Sequence, residues 1–319
     1  MSAASTPLPF YAEDFLVYLE AIAGKSQNTI KEYRYDLLMF FRFICKRKFV
    51  DKPENFTIEM FDKIVLTDLY AFLNYTNRER GDKAVTRARK VACLRSFFKY
   101  LFSKAHLIST NPAQELDSPK ITKTLPRYLE LDDCHKLLNV IDGEFKERDY
   151  CIIILFLNCG MRLSELVGIN ISDISGDTLI VTGKGNKERT IYLNDSCIDA
   201  IKNYLLVRPK TEDIGEYALF LSKRRQRIST KTVQYTVKKY IKLAGLDSKK
   251  YSTHKLRHTA ATLMYSHGDV DIRALQEILG HSSVATTEIY THVNNARIKE
   301  AVSKNPLANF KPDQHKNEE

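Results

Sequence analysis

The chain has 319 residues, with 49 Lys and Arg against 39 Asp and Glu and a formal charge of +10. At about 150 residues per domain this length predicts two domains, each able to bury a core, and excludes collagenous, disordered and mini-protein classes. No apolar run approaches the roughly 18 residues of a membrane helix, and no charged start precedes an apolar segment, so neither a span nor a secretory signal is expected and the cytoplasm is the default.

The six cysteines, Cys45, Cys93, Cys134, Cys151, Cys159 and Cys197, form no C-x-x-C pair and mostly sit in apolar stretches. They read as reduced core thiols, not as a disulfide frame or a zinc site. The positive surplus points to a polyanionic partner, because Lys and Arg that neutralise phosphates gain from counterion release. Simple solubilisation by lysine is the competing explanation.

Residues 10 to 112 read as helical. Phe15, Leu19 and Ile22 recur at helical spacing, and Tyr33, Leu37, Phe40, Phe41 and Ile44 mark a second stripe that Ser26 or Asn28 could cap. A third helix is expected over Thr67 to Arg80, ending at Gly81. A fourth, Ala84 to Ser103, turns Val91, Leu94, Phe97, Phe98 and Leu101 inward. Its other face carries Arg87, Arg89, Lys90 and Arg95 with no compensating carboxylate close in sequence, which favours a phosphate-facing surface over a merely solvated one. Between Pro112 and Pro126 the chain loses its apolar period, and Lys120 and Lys123 sit in what reads as a linker. Helices are expected again from Leu131 to Leu157. Thr178 to Thr182 and Arg189 to Leu193 then read as two strands of a hairpin around Gly183-Lys184-Gly185-Asn186, with helices resuming near Cys197. The residues from Lys311 to Glu319 form a polar tail.

Taken singly, the chemistry-bearing residues are ambiguous. The Gly183-Lys184-Gly185 turn matches no nucleotide-binding pattern, and Lys184 is either a solvated turn residue or a proton donor on a hairpin tip. His254 and His258 have the spacing of a zinc pair, but Lys255 stands where the glutamate of such a motif belongs and would repel a metal. His254 and Arg257, three apart at a helix start, suit a phosphate better, because the helix dipole adds to the same field. Arg162, His281 and Tyr290, one of 17 tyrosines, are unremarkable alone.

Together they are not. Gly160-Met-Arg162-Leu-Ser-Glu165-Leu, the Gly183-Lys184-Gly185 hairpin, His254-Lys-Leu-Arg257-His258, Leu279-Gly280-His281-Ser282 and Thr287-Glu-Ile-Tyr290-Thr-His292 follow the order and approximate spacing of the tyrosine recombinases. The chain resembles that phage-integrase family over nearly its whole length and is closest in wording to its Xer branch. Asn28 to Leu37 and Leu94 to Leu101 look like the family's core-binding domain. Cys159, where Thr is usual, and Tyr192, where Pro often follows, are small departures.

The resemblance implies a mainly α protein. A helical, SAM-like core-binding domain (1–113) and a linker (114–126) would precede a mostly helical catalytic domain with a small antiparallel sheet (127–293), in the DNA breaking-rejoining fold, and a subunit-swapping C-terminal helix and tail (294–319). It assigns Tyr290 as nucleophile, Arg162 and Arg257 as the phosphate clamp, Lys184 as general acid, and His254 and His281 as supporting groups. It further implies strand exchange through a 3′-phosphotyrosine and a Holliday junction, without metal, ATP or cofactor, in a homo- or hetero-tetramer on double-stranded DNA, with dimer resolution as the expected role and a DNA translocase as a candidate partner. Lys223-Arg224-Arg225-Gln-Arg227 is a further expected DNA contact. The alternatives are a mobile-element integrase, a type IB topoisomerase, and a catalytically silent DNA-binding protein on the same scaffold.

Overall fold

The computed structural model describes residues 7–121, 127–183, 188–210, 217–267 and 270–280. The chain divides into two compact units, Met1–Lys123 and Thr124–Glu319.

The first unit is a helical bundle of α1 (Phe10–Ala21), α2 (Gln27–Arg47), α3 (Leu66–Arg78) and α4 (Ala84–Ser103), with two short 3-10 turns, Pro53–Asn55 and Ile58–Lys63, between α2 and α3. Those turns interrupt the helical run expected across this region; Pro53, with its φ fixed and no N–H, opens the first. Ser26 caps α2 by accepting a hydrogen bond from the Thr29 amide at 3.3 Å. The apolar stripes of α2 and α4 meet in an aromatic core, where Phe40 stands edge-to-face against Phe72 and Phe98, and Phe97 against Phe41. Phe15 and Leu19 join this core, whereas Ile22 falls just beyond α1 and is exposed.

The second unit contains α5 (Leu131–Asn139), α6 (Lys146–Cys159), α7 (Leu163–Gly168), a sheet, α8 (Asp195–Val207), α9 (Thr230–Leu243), α10 (Thr253–His267) and α11 (Ile272–Leu279). The sheet is antiparallel in the order β1 (Ile174–Ser175), β2 (Thr178–Thr182), β3 (Glu188–Tyr192), with Thr182 opposite Glu188 and Val181 opposite Arg189. The two expected strands pair as read from sequence, except that β3 starts and ends one residue earlier and a short β1 extends the sheet; residues 184–187 between them lie outside the described residues. Helix α6 is buried along most of its length, from Cys151 to Leu157, which explains why it reads as a continuous apolar run and not as a stripe. It is the hub against which α8 and α10 pack. The six cysteines are free thiols buried in the two cores. No helix among the described residues is long and apolar enough to cross a membrane.

Candidate active site

Two glycines shape the centre of the second unit. Helix α6 ends at Gly160 and α11 at Gly280, both left-handed (φ 56° and 61°). A Cβ at Gly160 would lie 2.9 Å from Leu279 Cδ2, and one at Gly280 would lie 2.8 Å from Arg189 Cδ. These close approaches bring the ends of α6 and α11 together around a cluster of arginines.

Arg162 precedes α7 as its N-cap. Its amide donates to Glu165 Oε2 at 2.6 Å and its Nη1 to Glu165 Oε1 at 2.7 Å, the backbone half of a capping box with the carboxylate also taking the guanidinium. Arg257, on the second turn of α10, is 4% exposed. It donates from Nη1 to the Gly160 carbonyl and from Nη2 to the Leu279 carbonyl, both at 2.7 Å. Arg162 Nη2 reaches the next carbonyl, Gly280, at 2.6 Å. The carbonyls at the C-terminal end of α11 therefore hold both guanidiniums, as the negative end of a helix dipole favours. Glu165 lies below, buried, 3.9 Å from Arg257 Nη1. Burial pushes its carboxyl up, but Arg189 and the Arg162 amide and side chain outweigh that and hold it below the ordinary carboxylate range.

Arg162 and Arg257 open onto a cleft of about 560 Å³, also lined by Met161, Thr230, Gln234 and His254. His254 stands at its exposed rim, its ring edge-to-face with His258 at 4.6 Å. Desolvation of its inner side, with Arg257, Lys255 and Arg162 nearby, lowers its pKa and favours the neutral imidazole. The arrangement suits one bound oxyanion: two fixed guanidiniums, a neutral imidazole able to donate or accept, and a buried carboxylate that orients the cations without facing the cleft.

Arg162, His254 and Arg257, separated in sequence, thus converge on one cleft. Lys184, His281 and Tyr290 lie outside the described residues, as do Lys123 and the segment 294–319. The structure adds two residues to the site. Glu165 was legible as a carboxylate three residues after Arg162 at a helix start. Arg189 had a subtler signal: it alternates with the buried Ile191 on β3, and a charge on the inward face of a strand requires a partner.

The basic stripe on α4 needs correction. Lys90 is 1% exposed and bound to Asp36 at 2.8 Å, with Asp82 at 3.5 Å. Arg89 bridges Asp36 and Glu32, and Arg87 donates to Asn77 and the Asp82 carbonyl. The compensating carboxylates are present, but mostly on the neighbouring helix α2, so Lys90 is a core residue and not a phosphate contact. Arg95 and Lys120 are exposed. Arg224 and Arg225 project from a tight turn after Leu221, whereas Arg227 folds back on the carbonyls of Val167, Gly168 and Ile169 and on Asn170.

Against this geometry, residues 127–297 match the phage integrase family and residues 12–105 match the phage integrase N-terminal SAM-like domain. The chain belongs to the phage integrase family. Tyrosine recombinase XerC of Caldanaerobacter subterraneus subsp. tengcongensis is 57% identical over 309 residues, covering 94% of this chain and 88% of that protein. Integrase-family members of known structure share the fold. The XerH site-specific recombinase bound to difH substrate aligns with a TM-score of 0.67 at 24% identity, covering 92% of this chain and 84% of that one. A lambda integrase from a tetramer bound to a Holliday junction aligns with a TM-score of 0.65 at 20% identity, covering 86% and 76%. This integrase-family chain is an Xer-type tyrosine recombinase, an enzyme of DNA breakage and rejoining.

Proposed function

We propose that Arg162 and Arg257 clamp the scissile phosphate in the cleft while Tyr290 attacks it. The observation that carries this reading is the convergence of both guanidiniums on one cleft with His254 at its rim. A phenol with a pKa near 10 is a weak nucleophile at neutral pH, so the attack depends on cations that neutralise the non-bridging oxygens and on a group that takes the proton. Neutral His254 is suited to that exchange, with His281 as a further hydrogen-bonding partner. The Tyr290 oxygen forms a bond to phosphorus as the bond to the 5′-oxygen breaks. Lys184 protonates the departing oxygen, which otherwise leaves poorly. The phosphotyrosine keeps the energy of the phosphodiester, so attack by a second strand's 5′-hydroxyl rejoins DNA without ATP, and positioning and charge stabilisation supply the catalysis.

The biological event that this supports best is resolution of joined chromosomes or plasmids in the cytoplasm, by a tetramer of recombinase subunits on two DNA sites. The XerC likeness favours it over mobile-element integration. A DNA translocase is a candidate accessory. In this reading residues 1–113 bind the core of the site, 114–126 link, 127–293 catalyse, and 294–319 connect subunits. Of the candidate contacts among the described residues, Arg95, Lys120, Arg224 and Arg225 have an exposure that suits phosphates.

The test is covalent trapping. Sequencing DNA linked to the wild-type chain identifies the site, and a nicked suicide duplex carrying it then reports cleavage on a denaturing gel. Tyr290→Phe removes only the attacking oxygen and is expected to bind that duplex while forming no adduct. An undiminished adduct would overturn the assignment and turn attention to Tyr265 or Tyr251.

A further inference from the structure

We infer that Arg189 is a positioning residue for strand cleavage, acting through the buried carboxylate of Glu165 on Arg162 and through the end of α11. The inference rests on the recombinase reading above and concerns a residue that does not line the cleft.

The C-terminal end of α11 offers carbonyls in succession, and a different arginine takes each: Arg189 Nη1 donates to Ile278, Arg257 Nη2 to Leu279 and Arg162 Nη2 to Gly280. On the opposite side the same three guanidiniums meet Glu165. Arg162 Nη1 reaches it at 2.7 Å, Arg189 Nη2 at 2.9 Å and Arg257 Nη1 at 3.9 Å. Arg189 thus spans the two supports, the carboxylate and the helix end, between which the phosphate clamp is held. Its side chain is only 13% exposed and packs where a Cβ on Gly280 would collide with it. So closed a position leaves little room for a direct DNA contact.

The fork matters because a guanidinium can satisfy two acceptors in fixed relative geometry, which an ammonium cannot. Without Arg189, Glu165 Oε2 loses a charged partner and the Ile278 carbonyl loses its cap. The carboxylate is then free to turn away from Arg162, and the helix end can shift against Arg257. Misplacement of a clamp by about 1 Å costs rate far more than affinity, since site binding is spread over many phosphates whereas the developing charge is met at one. Arg189 also pairs with Val181 across the hairpin, one step in from Thr182 and Glu188, so the same anchor fixes one strand of the hairpin to the clamp.

The experiment uses the full-length chain at saturating concentration on the nicked suicide duplex, in single turnover, with the rate normalised to the folded fraction. Arg189→Ala is expected to cleave about 10- to 100-fold more slowly, with half-saturation for the duplex changed by less than about 3-fold. In a cycle with Arg162→Ala, the double variant should be slowed by clearly less than the sum of the two single losses, because the part of Arg189's effect that runs through Arg162 is already removed. A purely structural residue would add its loss. Should Arg189→Ala melt below the assay temperature, Arg189→Lys is put through the same cycle, since it keeps charge beside Glu165 but not both bonds. Wild-type cleavage by the variant, or full additivity with Arg162→Ala, overturns the inference. No adduct from the wild-type chain would instead count against the recombinase reading itself.

Discussion

Each unit of this recombinase buries a carboxylate among cations, and the two clusters are built to opposite ends. In the first, Asp36 accepts from Lys90 and Arg89, Asp82 approaches Lys90, and Glu32 takes the other side of Arg89. Three carboxylates meet two cations, so no positive charge is left uncompensated where α4 packs on α2. In the second, one carboxylate, Glu165, faces Arg162, Arg189 and Arg257. The surplus positive charge is held by uncharged carbonyls of α11 and Gly160, which fix the guanidiniums without neutralising them. A balanced cluster is a structural joint. An unbalanced one, opening on a cleft, is preorganised for an anion that arrives from outside.

The comparison breaks most visibly if the balanced cluster is unbalanced. Lys90→Met keeps the volume but leaves Asp36 buried with Arg89 alone. Removing one partner of a buried pair costs about 3–5 kcal/mol, so a lower denaturation midpoint is expected, with the cleavage rate per folded molecule unchanged. A parallel loss of cleavage in the folded fraction would show that Lys90 serves the reaction after all. The converse holds in the other unit. Arg162→Ala and Arg257→Ala should each slow suicide-substrate cleavage by about 10²-fold or more, equivalent to about 2.7 kcal/mol in the barrier, with little change in site binding. Equal losses of binding and rate would mean that the clamp holds ground state and transition state alike.

How far the sequence could separate these clusters follows from distance along the chain. The helix α4 and the β2–β3 hairpin were legible because their periods of 3.6 and 2 are local. Arg162 with Glu165 was legible in the same way, at a spacing of three residues. What pairs Lys90 lies 54 residues back at Asp36, and what caps Arg162 lies 118 residues on at Gly280. No periodicity reports such partners, so Arg87, Arg89 and Lys90 looked unpaired when they were not. The order of the motifs overcame this for Arg162, His254 and Arg257, because it carried family geometry that spacing alone lacks. It carried nothing for Arg189, whose one signal was its place two residues before Ile191 on the same face of β3.

The smallest expected effect sharpens the comparison through pH. At Glu165 the arginines outweigh burial and the carboxyl is lowered from 4.5. At Asp36 burial outweighs Lys90 and Arg89 and the carboxyl is raised from 3.8. The signs of linkage are therefore opposite. For Glu165 the unfolded chain binds the proton first as pH falls, so its stabilisation is complete above about 4.5 and is lost as pH drops through the lower folded value. For Asp36 the folded chain binds it first, so acidification through the window above 3.8 gives relative stability back. Melting followed from about pH 6 to about pH 3 should decline on the acid side, and Glu165→Gln should make that decline shallower. Asp68, where Lys48 and Arg47 outweigh burial, acts with the same sign as Glu165 and leaves part of the slope in place. Asp36→Asn, by contrast, should leave the decline as steep or steeper. If instead Asp36→Asn flattens the curve and Glu165→Gln does not, the two carboxylates have been assigned each other's electrostatics, and the balanced joint is the one stabilised by net attraction.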